Sequence, residues 1–245
     1  MAKRTIKLRL EYDGTDFVGW QFQQNGRSVQ EAVEKGLSQI LQERVRIVGA
    51  GRTDSGVHAK GQIASFRTES SVDCPLLVRG LNGVLPDDVV ALDAEEMGET
   101  FNARYDARSR HYEYIIKKQA TAIARGFCWV VRCTLDTDKM KRCLADIIGL
   151  HDFESFCKSE STVTRFNCTV LNAAWFERED ATLTFDITAD RFLHGMVRTL
   201  VGTMVEIGRG HRPSDDLKRI LLAKDRREAG VAAPPQGLFL TAVNY

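Results

Sequence analysis

Apolar and polar residues alternate through Ile6-Lys7-Leu8-Arg9-Leu10-Glu11-Tyr12, the period of a strand with one buried face. The chain then changes period. Val29, Ala32, Val33, Leu37, Ile40 and Leu41 fall three and four apart, as on one side of a helix, and Ser28 with Glu31 forms a capping box at its start. The β-branched run Val45-Arg46-Ile47-Val48 predicts a strand, and Gln62 to Phe66 predicts another. Pro75 opens a short helix bearing Leu76, Leu77, Leu81 and Val84, Pro86-Asp87-Asp88 closes it, and Val89 to Leu92 is strand-like again. Strand, helix, strand, strand, helix, strand is the order of the ferredoxin-like, or split βαβ, arrangement.

The rest of the chain repeats this order without an obvious residue-level repeat. A strand is predicted near Arg110–Lys117 and a helix near Thr137–Ile148, with Met140, Cys143, Leu144 and Ile147 on one side. Two strands near Thr162–Phe176 and Leu183–Thr188 are joined by the turn Arg178-Glu179-Asp180. A long helix from Arg191 to Ile207 follows, then a short one capped by Ser214, and a last strand from Leu238 to Val243. The expected fold is α+β: two ferredoxin-like halves with mainly antiparallel sheets, residues 1–105 and 106–245.

Between the second and third predicted strands, Val45–Val48 and Gln62–Phe66, lies Gly49-Ala50-Gly51-Arg52-Thr53-Asp54-Ser55-Gly56-Val57-His58-Ala59. Three glycines in eight residues let the backbone bend sharply and approach a ligand. Into this bend the chain places one carboxylate, Asp54, with a guanidinium two residues before it and a hydroxyl on either side. Two readings stand: a polar turn in which Asp54 bonds its own backbone, or a reactive carboxylate kept ionised by arginine.

Charge adds a weak direction. The net charge of +1 does not mark a nucleic-acid binder, but arginine outnumbers lysine about two to one. Gly98 to Arg132 carries seven basic residues against three acids, whereas Asp87 to Glu96 carries five acids and no base. This separation predicts one basic face. The six cysteines form no CxxC pair and have no histidine at zinc-ligand spacing, so reduced thiols and no metal are expected. No apolar run is long enough to span a bilayer, and Met-Ala-Lys-Arg-Thr-Ile begins a strand pattern rather than a signal peptide, so a cytoplasmic place is expected.

The Gly49–Ala59 stretch resembles the signature of the TruA-type tRNA pseudouridine synthases. The resemblance extends to Tyr12-Asp13-Gly14-Thr15 with Phe17-Val18-Gly19-Trp20-Gln21, to Phe101-Asn102-Ala103-Arg104, and to Arg110-His111-Tyr112-Glu113-Tyr114. It continues through Phe192-Leu193-His194-Gly195-Met196-Val197-Arg198 and Ala233-Pro234-Pro235-Gln236-Gly237-Leu238. The resemblance implies two halves about a central basic cleft and a cofactor-independent isomerisation of uridine to pseudouridine at positions 38 to 40 of the tRNA anticodon stem-loop. It also implies a homodimer. Asp54 is then the nucleophile, attacking sugar or base or stabilising charge on the detached sugar. Arg198 pairs with it. Tyr112 stacks on the target base or accepts the C5 proton, although a free phenol titrates near about pH 10.

Arg52 and His58 are expected to contact phosphate, Arg52 also helping to turn the nucleotide out, with Arg104 and Arg110 as secondary candidates for the same work. Leu238 or Leu240 is expected against the target base. Taken as part of a regular helix, His194, Arg198 and Gly202 share one face. His194-Gly195 departs from the bulkier aromatic or polar pair of the family. Phe17, Trp20 and Phe22 lie among glutamines, suited either to stacking on bases or to packing the loop. Two rival functions remain, an RNA-binding module without catalysis and a nucleoside hydrolase. The first gives Asp54 no role, and the second generally requires a second acid or a metal.

Overall fold

β1 (Arg4–Tyr12) carries the predicted alternation into the structure: Ile6, Leu8, Leu10 and Tyr12 are all buried. The computed structural model describes residues 3–159, 164–178 and 180–245. They fold as two compact units, one reaching Arg108 and including Leu240–Tyr245, the other Ser109–Phe239.

In the first unit, α1 (Val29–Leu41) starts at Ser28, whose hydroxyl accepts the Glu31 N–H at 3.3 Å. β2 (Val48–Gly49) and β3 (His58–Thr68) follow. α2 (Cys74–Asn82) begins where Asp73 accepts the Leu76 N–H, with Pro75 in its first turn, and β4 is Val89–Met97. β1 is antiparallel to β3, with Leu8 opposite Ala64, and antiparallel to β4, with Leu8 opposite Ala94. β2 pairs with β3, which gives the order β4-β1-β3-β2 of a split βαβ unit.

The predicted strand at Val45–Val48 is reduced to two residues for a visible reason. The Ile47 N–H donates to the buried Glu34 carboxylate at 3.1 Å, and Gln30 of α1 donates to the Ile47 carbonyl. Side chains of α1 thus take the backbone groups a neighbouring strand would otherwise pair.

The second unit opens with β5 (Ser109–Lys117), to which β6 (Trp129–Val130) runs parallel. The helix expected over Thr137–Ile148 is two pieces, α3 (Thr137–Arg142) and α4 (Leu144–Ile147), interrupted at Cys143. β7 (Gly149–Asp152), absent from the sequence reading, pairs with β8 (Asn167–Glu177), and β9 (Thr182–Ala189) lies between β8 and β5, all antiparallel. Thr162, the start expected for β8, and Glu179 of the expected turn lie outside the described residues.

α5 (Met196–Gly208) begins five residues later than predicted. Gly195 has φ +73°, a left-handed conformation that a right-handed helix cannot run through, and Asp190 turns the chain by accepting the amides of Arg191 and Thr169. His194 is therefore outside the helix and exposed, and the face predicted to join it to Arg198 does not exist. α6 (Asp216–Ala223) follows; Asp215, not Ser214, occupies its cap, without a side-chain bond. β10 (Leu238–Asn244) ends the chain, its last residues belonging to the first unit, where it lies beside β3. Nearly every residue of α5 is buried, including Thr199 and Thr203, so this helix is the core of its unit and not a surface rod.

Candidate active site

Asp54 sits at the tip of a loop that two segments of the first unit build together. Val57 N–H donates to the Asp54 carbonyl at 3.2 Å, Trp20 N–H to the Thr53 carbonyl at 3.1 Å, and Gly56 N–H to the Phe17 carbonyl. Thr53 is buried, and its hydroxyl shares a 2.8 Å hydrogen bond with Tyr12. Gln62 ties the same place from β3, donating to the Gly51 carbonyl at 2.9 Å. Burial lifts the Tyr12 phenol to about 12 against the pull of Thr53 and Gln62, so it stays a neutral hydrogen-bonding strut. Asp54 is half-buried, and Arg52 two residues before it is exposed.

The Tyr12–Gln21 motif is therefore the cradle of this loop. Phe17 and Trp20 are each 2% exposed, which decides for packing over base stacking; Phe22 alone remains open. Gly19 has φ +113°, and a Cβ there would stand 2.7 Å from the Thr53 carbonyl oxygen and 3.1 Å from the Asp54 carbonyl carbon. Gly19→Ala is accordingly expected to destabilise the fold by about 1–3 kcal/mol and to displace Asp54, lowering turnover as well as melting temperature. Thermal melts with single-turnover assays test it; wild-type turnover in that variant would show that the loop tolerates a shift.

His58 corrects the expectation placed on it. Its ring is buried; Nδ1 accepts the Gly14 N–H at 3.0 Å and lies 3.0 Å from Asp13 Oδ1. Burial works against the Asp13 charge, yet the Thr15 hydroxyl and amide, with His58, outweigh it and hold its pKa low. A side chain in this place braces the loop and does not present itself to a phosphate.

Tyr112 and Arg198 lie in the second unit. Tyr112, on β5 opposite Ile187, is buried with its ring edge-on to Phe192 at 5.1 Å. Arg198, in the first turn of α5, is half-buried, and its Nε donates to the Ala233 carbonyl at 2.8 Å. That bond is one of a series binding residues 230–234 along α5. Gly230 N–H donates to Thr203 Oγ1, Val231 N–H to Glu206 Oε1, and Ala233 N–H back to the Arg198 carbonyl. Tyr114 donates its hydroxyl to the Pro234 carbonyl at 2.8 Å. Burial raises the Tyr114 pKa far above that of a free phenol, with nearby Arg198 opposing, so the donor proton stays in place. With Nε occupied, the strap aims the guanidinium.

The sequence reading missed this strap. Its one signal was Gly202, where a Cβ would stand 1.8 Å from the Val231 carbonyl oxygen. The remaining candidates are spread. Arg110 donates to the Asp190 carbonyl at 2.7 Å and so helps turn the chain after β9. Arg104 is exposed on a turn of the first unit. Leu238 and Leu240 are buried, Leu240 completely, which makes them core of β10. None of the six cysteines is joined in a disulfide, and burial raises Cys143 to about 11 and Cys168 to about 12. Among the described residues no group of His, Cys, Asp and Glu side chains is placed to hold a metal ion.

Comparison with known proteins gives a consistent pattern. The family model described as tRNA pseudouridine synthase matches residues 10–106 and 144–245. The tRNA pseudouridine synthase A of a Thermoanaerobacter species is 40% identical over 244 residues, covering 99% of this chain and 100% of that protein. That of Exiguobacterium sibiricum is 39% identical over 99% of this chain and 97% of its own length, and that of Myxococcus xanthus 40% over 98% and 91%.

Proposed function

The chain belongs to the tRNA pseudouridine synthase family, and from that premise we propose that it isomerises uridines at positions 38 to 40 of the tRNA anticodon stem-loop. The observation that carries the catalytic assignment is the mounting of Asp54. The backbone of residues 53–56 is fixed by Trp20, Phe17 and Val57, while Asp54 itself stays half-exposed, as a residue meant to meet a substrate must be. No helix among the described residues is long and apolar enough to cross a membrane.

The reaction breaks the N1–C1′ bond, turns the base and forms a C5–C1′ bond; C5 loses a proton and N1 gains one, so atoms balance without a redox partner. Asp54 serves as nucleophile toward sugar or base, or as the counter-charge to the detached sugar. On family likeness Arg198 is the proposed charge partner that orients this carboxylate. Tyr112 is the proposed floor on which the base rests and a candidate acceptor of the C5 proton; stacking needs no tuned hydroxyl, whereas accepting a proton does. Arg52, Arg104 and Arg110 are the proposed phosphate contacts. A target beside a duplex must be turned out at a cost of a few kcal/mol, which the arginine contacts offset. The proposal includes a homodimer working in the cytoplasm, on family likeness.

Incubation with unmodified tRNA followed by carbodiimide mapping tests the assignment. Adducts are expected at one or more of positions 38, 39 and 40. Adducts elsewhere in the tRNA would overturn the position while keeping the chemistry, and free uracil in place of adducts would favour the hydrolase.

A further inference from the structure

Tyr105 is the most exposed aromatic residue among those described, at 78%, and nothing in the catalytic assignment uses it. A large ring left in water buries little apolar area for the fold, which directs attention to a reason other than packing. A loose loop is not that reason. Asn102 Oδ1 accepts the amides of Arg104 at 3.0 Å and Tyr105 at 3.2 Å. Asp106 Oδ2 accepts the Asn102 N–H at 2.8 Å, and its own N–H returns to the Asn102 carbonyl at 3.1 Å. The turn is anchored below by Ala103, fully buried, whose N–H donates to Ser65 Oγ and whose carbonyl accepts the Tyr245 hydroxyl at 2.8 Å. A rigid, doubly anchored turn thus holds the ring outward.

The neighbours of the ring decide what suits it. The Arg104 guanidinium lies 5.7 Å from the ring centre, within cation–π range, and Arg108 is exposed three residues on. Ile123, Leu222 and Val231, comparably exposed, are aliphatic, and the next most exposed aromatic ring, Phe176, is 50% exposed. An aromatic face with one guanidinium beside it, and a second exposed arginine three residues along the chain, matches a nucleobase joined to phosphates. Bases inside an A-form duplex offer no free face, so the complementary group is a base from a loop, bulge or end.

We propose that Tyr105 is a stacking platform for an unpaired base of the tRNA, held at the surface by the Asn102–Asp106 turn, with Arg104 and Arg108 meeting the flanking phosphates. The inference rests on the reading of the protein as a tRNA enzyme and adds a contact away from the reacting atoms. Stacking is neutral and indifferent to base identity, whereas the arginine contacts release counterions. The two contributions therefore separate by salt.

The test measures tRNA affinity by filter binding across a salt series, with turnover and melting temperature beside it. Tyr105→Ala is expected to weaken affinity and raise KM roughly 10-fold, with kcat, melting temperature and salt slope unchanged. Tyr105→Phe and Tyr105→Trp are expected to restore binding and Tyr105→Leu not to. Arg104→Ala should make the log–log salt slope shallower by about 0.7 to 0.9. Wild-type affinity in Tyr105→Ala, full rescue by leucine, or a fall in oligomeric mass with tRNA affinity per site kept would overturn the proposal, the last giving the ring to a protein contact. Failure of the wild-type protein to modify tRNA would instead sink the functional reading, so the two failures are distinct.

Discussion

Asp54→Asn is expected to abolish pseudouridine formation, by at least about 10⁴-fold, while tRNA affinity and melting temperature stay near wild type. The size of the effect follows from chemistry: an amide is neither a nucleophile of use here nor a counter-charge for a cationic sugar. Survival of the fold follows from the loop. The Asp54 carbonyl, which the substitution leaves in place, accepts from Val57, and the neighbouring anchors are Thr53 with Tyr12, Gln62 with Gly51, and Trp20 with Thr53. Single-turnover kinetics with carbodiimide mapping measure the rate and filter binding the affinity. Asp54→Ala run alongside guards against recovery of the acid by slow deamidation. A variant that keeps a tenth of wild-type turnover would move the chemistry to another group.

Gly202→Ala has the second-largest expected effect, and its sign is informative. In the middle of an exposed helix, alanine in place of glycine stabilises by up to about 1 kcal/mol. Here the added Cβ would stand 1.8 Å from the Val231 carbonyl oxygen and 3.1 Å from the Ala233 nitrogen. The strap has little freedom to yield, since Gly230 and Val231 are bonded to Thr203 and Glu206 on the same helix. The propensity gain is overwhelmed, and the fold is expected to lose about 1–3 kcal/mol, a few degrees in melting temperature for a chain of this size. Moving Ala233 also moves the acceptor that fixes Arg198 Nε, and a displacement of about 1 Å at a catalytic group costs on the order of 10²-fold in kcat. Melting curves and turnover well below the melting temperature measure the two separately. Lower stability with intact kcat would detach the strap from Arg198; unchanged stability would mean that the close approach is relieved in solution.

Much of the fold was legible because it is written in local periods. Ile6, Leu8, Leu10 and Tyr12 name the buried face of β1, Ser28 with Glu31 marks the start of α1, and Pro75 that of α2. The Gly49–Ala59 stretch was legible for a related reason: a carboxylate among three glycines between two strand-like runs has few uses. Where the reading slipped, the deciding interaction lay outside the local pattern. The 45–48 run scans as a strand, but Glu34 and Gln30 claim the backbone of Ile47. The 191–207 stretch scans as one helix, but Gly195 is left-handed and Asp190 turns the chain before it.

The sequence by itself determined the strand and helix periods, the presence of one carboxylate in a glycine loop, and the motifs by which the family is read. The tertiary structure alone decided that His58 braces its loop, that Phe17 and Trp20 are packed away while Tyr105 stands in water, and that residues 230–234 aim Arg198. It also decided that the last residues of β10 complete the first unit. Periods of two and 3.6 residues are set by neighbours along the chain, so one sequence displays them. The partner of a buried N–H or guanidinium is set by whichever acceptor the packing brings within about 3 Å, and that acceptor can be dozens of residues away.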